Sequence, residues 1–180
     1  MFLDKSRILF EKLDDLRLKE NEDEVLKAMQ DPTYRLHVCL HEAAHGVYMQ
    51  RAGAKRLNFH GPVAFYRAES DTFDIGSAGM TPDFGDAGTK IDSLAMARWY
   101  VAGGVATRSL TGWNDEDGDG QDLEVFVREC FRLIPEITRE DISTLWKQAK
   151  KDVERDLRRP KFRRELWQKA REFEDWLVRT

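Results

Sequence analysis

One segment of five residues restricts the fold of this chain more than any other: His-Glu-Ala-Ala-His at positions 41–45. On an α-helix, residues four apart lie one turn apart on the same face, so His41 and His45 can direct two imidazoles at one point. Imidazoles at this spacing are a common zinc ligand pair, and Glu42 stands where it can hold and deprotonate a water molecule rather than bind the metal. Because zinc lowers the pKa of such a water to about 7, the motif indicates a zinc hydrolase, most often a peptidase.

The residues around the motif favour the helix that it needs. Asp31 is a good N-cap, Pro32 suits the first helical position, and Gly53 offers a C-terminal stop. Between them an apolar stripe recurs at helical spacing, formed by Leu36, Leu40, Ala44 and Val47. We therefore predict a helix in which the two histidines lie beside the buried face.

Composition limits the class of protein. The chain has 180 residues, 41% apolar content and a net charge of −4, which allows one sizeable core and gives no strong attraction to nucleic acid or acidic membranes. Cys39 and Cys130 fall in apolar helical positions and are expected to be buried free thiols in a reducing compartment. No apolar run approaches about 18 residues and the first residues are charged, so we expect no spanning helix, no signal peptide and a cytoplasmic location.

A small β element is predicted after the motif helix, and a helical pattern before it. Residues 4–29 have a charged helical pattern that indicates only packing. Alternation over residues 57–65 and 73–80 predicts short strands that stop at Pro82, with a loop from Thr81 to Gly88. Such a strand could lie along the active-site cleft and pair with an extended substrate, or the sheet could serve only to support the helix.

The remainder of the chain is predicted to be helical. One helix begins at Ile91 and contains Gly103-Gly104, whose cost of about 1 kcal/mol each implies close helix–helix approach. A second helix runs from about Asp122 to Leu133, and a helical hairpin with a capping box at Thr138 follows. The inner face of the second helix is predicted to consist of Leu123, Phe126, Val127, Cys130 and Phe131.

An acidic loop is predicted at residues 114–120. Its residues Asp115, Asp117, Asp119 and Gly120 match the opening of an EF-hand calcium loop. The twelfth position, which should be a bidentate glutamate, is Phe126. We therefore reject the EF-hand and keep calcium only as a minor alternative.

A catalytic zinc needs a third protein ligand, and the sequence offers several candidates. His37 is one turn before His41, but it lies about 12 Å along the helix axis from His45, too far for one tetrahedral metal. His60 lies in a strand-like segment, and the acidic residues after Gly112 form the remaining group. On the residues alone these alternatives stay open.

Several segments resemble the peptidase domain of the FtsH-type, membrane-bound ATP-dependent zinc proteases, over about residues 32–178. These segments are the motif itself, Val101–Ala106, Thr111–Gly112, Gly120–Glu124 and, beside the family's active site, Ser77–Pro82. The resemblance implies that His41, His45 and Asp122 are zinc ligands and that Glu42 is the catalytic base.

The chain also departs from this family. Ala44 replaces the family's glycine, and Thr107-Arg108-Ser109 stand where the family usually has acidic residues. The Asp-rich insertion leaves Asp119 and Glu124 as alternatives to Asp122. No Gly-x-x-x-x-Gly-Lys-[Ser/Thr] motif occurs, so the peptidase domain is expected to stand alone without its ATPase module.

Together these patterns predict a mainly α (α+β) fold with a small β element and a C-terminal helical hairpin. One peptidase domain is expected over residues 1–180, divided into an N-terminal helical extension (1–30), a zinc-site core (31–133) and the hairpin (134–180). The expected function is zinc-dependent cleavage of unfolded or flexible polypeptides without ATP. The rival is a non-catalytic, metal-bearing module that binds peptides or regulates a partner. Neither nucleic acid nor membrane is expected as a partner, and a homo-oligomer or a separate ATPase stays open.

Overall fold

A computed structural model of the chain describes residues 29–61, 63–67, 72–76, 78–85, 92–113 and 116–179. The described residues are mainly helical with a small β element, which confirms the predicted fold class. The predicted N-terminal extension lies outside these residues except for its last two. Among the described helices, none combines the length and apolarity that a membrane crossing requires. The elements in chain order are α1 (Pro32–Arg51), β1 (Arg56–His60), β2 (Val63–Arg67), β3 (Thr72–Gly76), β4 (Gly79–Asp83), α2 (Ser93–Thr111), α3 (Glu116–Leu133), α4 (Arg139–Leu157) and α5 (Pro160–Arg179).

The described residues belong to two compact units. The first contains residues 29–35 and the described part of 60–79. In it, β2 and β3 form an antiparallel pair in which Val63 faces Gly76 and Arg67 faces Thr72. The second unit contains residues 36–59 and the described part of 80–179, and therefore carries the histidine motif.

Helix α1 begins and ends where its capping residues predict. The Asp31 carboxylate accepts the backbone N–H of Thr33 at 2.7 Å, so it is the N-cap. Gly53 has a φ of 104°, a left-handed conformation that favours glycine. The Ala54 N–H then donates to the Met49 carbonyl at 3.0 Å, which completes a Schellman-type end.

Side chains of β1 and β4 pack against a glycine on α1. A Cβ on Gly46 would lie 2.7 Å from Met80 Sδ and 2.9 Å from Leu57 Cδ1, so a larger residue would force these two side chains to shift. The predicted stop at Pro82 is wrong, since β4 continues to Asp83. Among the described strands β4 pairs with β1 only, and an edge strand tolerates a proline that lacks an N–H.

Helix α2 is the centre of the helical layer and contacts both α3 and α4. Its N-cap is Asp92, whose carboxylate accepts the Ala95 N–H at 3.0 Å. Gly112 ends the helix with a φ of 75°. The helix therefore begins at Ser93, two residues after the predicted start at Ile91. Many of its residues are buried, as predicted.

Helix α3 starts at Glu116, so the predicted acidic loop is wrong from that residue onward. Acidic side chains are favourable in the first turn of a helix, and this effect competes with the turn preference of the glycines. A helix at 116–120 cannot form an EF-hand loop. The predicted inner face is also too wide: Phe126 and Cys130 are fully buried, whereas Leu123 and Phe131 are 39% and 42% exposed.

The C-terminal hairpin of α4 and α5 is present as predicted. The Asp141 N–H donates to Thr138 Oγ1 at 3.1 Å, and the Thr138 N–H donates back to the Asp141 carboxylate at 3.0 Å. This reciprocal pair is the predicted capping box. Four apolar residues of α5 are buried at helical spacing: Phe162, Leu166, Ala170 and Phe173.

A buried carboxylate on α4 ties that helix to α2. Asp152 is 3% exposed and accepts Arg98 Nε and Nη2 at 2.9 Å and 2.6 Å. Gln148 and Arg155 contact its other oxygen at 3.1 Å and 2.8 Å. Burial works to raise the pKa of Asp152, but the hydrogen bond and charge of Arg98, helped by Arg155, outweigh it and lower the pKa.

We expect Asp152→Ala to destabilise the protein by about 2–3 kcal/mol, because it leaves the Arg98 guanidinium without its partner. A carboxylate with a lowered pKa stabilises the fold above its unfolded pKa of about 3.9, and this contribution is lost as pH falls through the folded value. The measurement is chemical unfolding at neutral and acid pH, with Glu136→Ala as the control for loss of an exposed acid. Equal unfolding midpoints for the two variants at pH 7 would contradict the assignment.

Candidate metal centre

Helix α1 brings the two motif histidines to one point. His41 and His45 are 8% and 5% exposed, and their ring centroids lie 4.6 Å apart. With Glu42, their ligand atoms all lie within 4.8 Å of one another. These three residues could therefore hold a metal ion.

A carboxylate from α3 reaches the same point. Asp122 Oδ2 lies 3.2 Å from His41 Nε2 and 3.2 Å from His45 Nε2. Oδ2 is a buried acceptor that forms no geometrically regular hydrogen bond with the described groups. Atoms bound tetrahedrally to zinc at about 2.0–2.1 Å are about 3.3 Å apart, so the spacing fits ligands of a shared metal.

The two other acidic candidates for the third metal ligand are Glu124 and Asp119. Glu124 is exposed on α3 and forms no ion pair with a described residue. The side chain of Asp119 lies outside the described residues. Of the three acidic candidates, the structure thus brings Asp122 to the histidines.

A backbone carbonyl of α2 sets the orientation of one imidazole. His45 Nδ1 lies 2.8 Å from the Trp99 carbonyl oxygen. Since a carbonyl only accepts, Nδ1 carries a proton, so Nε2, on the side of Asp122, is the nitrogen that could bind a metal. His41 Nδ1 is buried without a hydrogen-bond partner among the described groups.

Gly103 provides the space for the ligand atoms. A Cβ at this position would lie 2.5 Å from both His41 Nε2 and His45 Nε2, closer than any carbon can approach. The Gly103-Gly104 pair predicts close helix–helix approach from the sequence, but the position of Gly103 beside the imidazoles was not predicted. The glycine pair is the one sequence signal for this space, but the two histidines that occupy it lie about 60 residues away in sequence, so the pair does not reveal them.

Glu42 is held beside the histidines by the neighbouring strand. Its Oε2 accepts the backbone N–H of Met80 at 3.2 Å. Burial raises the pKa of the Glu42 carboxyl, against the opposing effect of His45 and His41. From the sequence, a strand along the cleft and a sheet that only supports the helix were both left open, and this contact, which no local pattern encodes, was not predicted.

The electrostatics of the site favour a positive charge between the imidazoles and the carboxylate. Burial lowers the pKa of His45, but the charge of Asp122 outweighs it and raises the pKa to about 9. Burial likewise works to raise the pKa of Asp122, yet His45 and His41 hold it well below its usual range. The buried carboxylate therefore favours a positive charge on or beside the imidazoles, which a proton or a bound metal ion can supply.

The other two histidines are not members of this cluster. His37 stacks on Trp113, with ring centroids 4.8 Å apart and an interplanar angle of 14°. His60 belongs to the first compact unit, where its ring packs against Gly79 and burial lowers its pKa. Within the described residues, neither joins the three that could hold a metal.

Comparison of the chain with models of known protein families finds no match, and comparison with curated proteins finds none.

Proposed function

We propose that the chain is a zinc metalloendopeptidase, related to the FtsH-type peptidase domains that its motifs resemble. The observation that carries the proposal is the convergence of His41 Nε2, His45 Nε2 and Asp122 Oδ2 beside the carboxylate of Glu42. Three protein ligands leave one tetrahedral position open, as catalytic zinc sites do. A purely structural site would close that position and would have no use for Glu42.

The choice of Asp122 over Glu42 as the third ligand rests on what each carboxylate already contacts. Asp122 Oδ2 is equidistant from the two imidazoles and lacks a hydrogen-bond donor within the described part of the chain. Glu42 Oε2 already accepts the Met80 N–H. The residues present therefore fit a metal bound by two nitrogens and one oxygen, a ligand set that suits zinc.

Glu42 would act as the general base. Bound zinc supplies a Lewis acid that polarises the scissile carbonyl and lowers the pKa of a water molecule to about 7. The Met80 N–H holds Oε2 of Glu42, which leaves Oε1 to accept the proton of the attacking water and return it to the leaving amine. The Trp99 carbonyl keeps the His45 ring in its ligand orientation during this transfer.

The substrate would be an extended polypeptide. Strand β4 lies next to the catalytic residue and pairs, among the described strands, with β1 only. A substrate could add to such an edge by backbone hydrogen bonds if it is already unfolded. Folded proteins have stabilities of about 5–15 kcal/mol and rarely present such a segment. The chain has no phosphate-binding Gly-Lys motif, so its cleavage should need no ATP.

The test combines metal analysis with a cleavage assay. The purified chain should carry about one zinc, and it should cut a disordered protein such as casein equally well with and without ATP. A chelator should abolish cleavage, and added zinc should restore it. Efficient cleavage of a stable folded domain would refute the restriction to flexible substrates. Zinc without any cleavage would favour the rival, a peptide-binding module that does not catalyse.

The third ligand can be tested separately. We expect Asp122→Ala to weaken zinc binding by about 100-fold or more, because only two protein ligands remain. The exposed Glu124→Ala serves as the matched control and should bind zinc like the unmodified chain. Competition with a chromogenic chelator measures both affinities. Normal zinc affinity in Asp122→Ala together with loss in Glu124→Ala or Asp119→Ala would reassign the ligand.

A further inference from the structure

Helix α3 presents apolar side chains on a face that the described core does not cover. Of the four large apolar side chains that are exposed among the described residues, three lie on this helix, namely Leu123, Phe131 and Leu133. The covered side of α3 packs on α2, and the centroid of its Phe126 ring lies 5.3 Å from that of Trp146 on α4. Exposed apolar side chains that cluster on one element, rather than scatter singly, indicate a contact with another polypeptide.

Five residues of α3 and its last turn form a stripe that is symmetric about Val127. At about 100° per residue, Gly120, Leu123, Val127, Phe131 and Ile134 lie within about 80° of one another around the helix, over a length of about 21 Å. Ile134 directly follows α3, and its N–H still donates a helical hydrogen bond at 2.9 Å. Leu123 and Phe131 are each four residues from Val127, and Gly120 and Ile134 are each seven residues from it. We call these five residues the α3 stripe.

A stripe with this symmetry is complementary to a second copy of itself that runs in the opposite direction. About a two-fold axis at Val127, Leu123 would contact Phe131 of the second copy, and Val127 would contact its own equivalent. Ile134 would face Gly120, which is exposed and where an added Cβ would meet nothing within 4 Å. Because a bulky residue faces an open position at each end of the stripe, two helices can approach along its whole length.

The charges beside the stripe are complementary in the same arrangement. Glu124 and Arg128 are exposed and lie on one flank of the stripe. In the antiparallel pair, this flank would carry the order Glu124, Arg128 of the second copy, Arg128, and Glu124 of the second copy, at intervals of about 3 Å along the axis. Each glutamate would then be next to an arginine of the other copy, and the four charges would sum to zero. The antiparallel direction also places opposite ends of the two helix dipoles together.

We propose that two copies of this chain form an antiparallel, two-fold symmetric dimer through the α3 stripe. The symmetry of the stripe selects a second copy, since an unrelated protein would require no relation between the two halves of α3. One helix face is smaller than the surface that a permanent dimer buries, so we expect a reversible dimer with a dissociation constant on the order of 10 μM. The dimer does not depend on the proposed activity, because no candidate metal ligand belongs to the stripe.

Sedimentation equilibrium over about a hundredfold range of concentration around this value measures the dimer. Phe131→Asp puts a charge into the apolar contact and should weaken dimerisation about 100-fold or more. The matched control is Val178→Asp, which makes the same change at an exposed apolar residue of α5 and should change the dissociation constant less than twofold. Circular dichroism should show both variants to be as helical as the unmodified chain. Equal effects of the two substitutions, or a monomer at every concentration of the unmodified chain, would overturn the dimer.

The direction of pairing is tested by reversal of the flanking charges at low salt. Glu124→Arg makes all four charges of the flank positive and should weaken dimerisation about tenfold. The double variant Glu124→Arg with Arg128→Glu restores the alternation of signs between copies and should return the dissociation constant to within about twofold of the original. If the double variant dimerises no better than Glu124→Arg alone, the antiparallel arrangement is wrong.

The position of the two-fold axis is tested by crosslinking. Val127 would face its own equivalent, so Val127→Cys should form a covalent dimer with the thiol oxidant diamide, whereas Val178→Cys should form little. Cys39 and Cys130 are buried and should not contribute. Absence of the crosslink in a chain that dimerises would refute the axis at Val127. A chain that stays monomeric while its Val127→Cys thiol resists alkylation would overturn the dimer and show that another segment of the same chain covers the stripe.

Discussion

The Glu42→Gln variant is expected to keep its zinc and its fold while losing peptide hydrolysis by a factor of about 10²–10⁴. The amide oxygen of glutamine can still accept the Met80 N–H, so the side chain should stay in place. An amide cannot take the proton of the attacking water, and the general-base step is lost. The substitution therefore removes the general base and leaves the three proposed metal ligands unchanged.

The measurement for Glu42→Gln pairs zinc content with the initial rate of cleavage of a disordered protein. Glu154→Gln, which makes the same change on α4, controls for the loss of one carboxylate. Retention of more than a tenth of the activity in Glu42→Gln would contradict the role of Glu42. Loss of zinc in this variant would instead make Glu42 a metal ligand, in place of Asp122.

The second large effect is expected from Gly103→Ala, although this residue binds nothing itself. The added methyl group would meet both His41 Nε2 and His45 Nε2 at 2.5 Å, so either the imidazoles or α2 must move. His45 is held by the Trp99 carbonyl of the same helix, and movement of α2 would carry this contact with it. We expect zinc affinity to fall by about 100-fold or more, comparable to His45→Ala.

The matched control is Gly120→Ala on α3, two residues from Asp122, where an added Cβ meets nothing within 4 Å. This substitution should leave zinc affinity unchanged and stabilise the helix by up to about 1 kcal/mol. Competition with a chelator gives the affinities, and thermal unfolding with excess chelator shows whether each variant still folds. A Gly103→Ala chain that folds and binds zinc normally would show that the space beside Gly103 is not needed for the ligand atoms.

Capping residues and helical spacing, which act over a few residues, predicted the helix boundaries named here and the pairing of the two motif histidines. Asp31, Gly53 and the Thr138 capping box act through neighbours within five residues, so the sequence alone indicates the helix ends they produce. The spacing of His41 and His45 likewise depends on one helix. The same reasoning failed at 116–120, where charge at a helix start competed with the turn preference of glycine.

The remaining parts of the site depend on contacts between distant segments. Met80 reaches Glu42 from a strand 38 residues away, and the Trp99 carbonyl reaches His45 across 54 residues. No periodicity encodes these contacts, since they follow from how the elements pack. The placement of Asp122 came from a family resemblance, and its two 3.2 Å distances became visible only in the structure. In addition, the Met80 N–H and the Trp99 carbonyl are backbone groups that almost every residue has, so the residue type at these positions does not reveal their role.

The groups around the candidate metal centre come from three helices: the imidazoles from α1, the orienting carbonyl from α2 and the carboxylate from α3. An ion held by this set would act as a reversible crosslink between segments far apart in sequence. Its binding energy would then be shared with folding, by about 4 kcal/mol when free zinc is 1,000 times the dissociation constant. The melting temperature would accordingly report zinc availability, and a cell short of zinc would hold less of the folded protein as well as less activity.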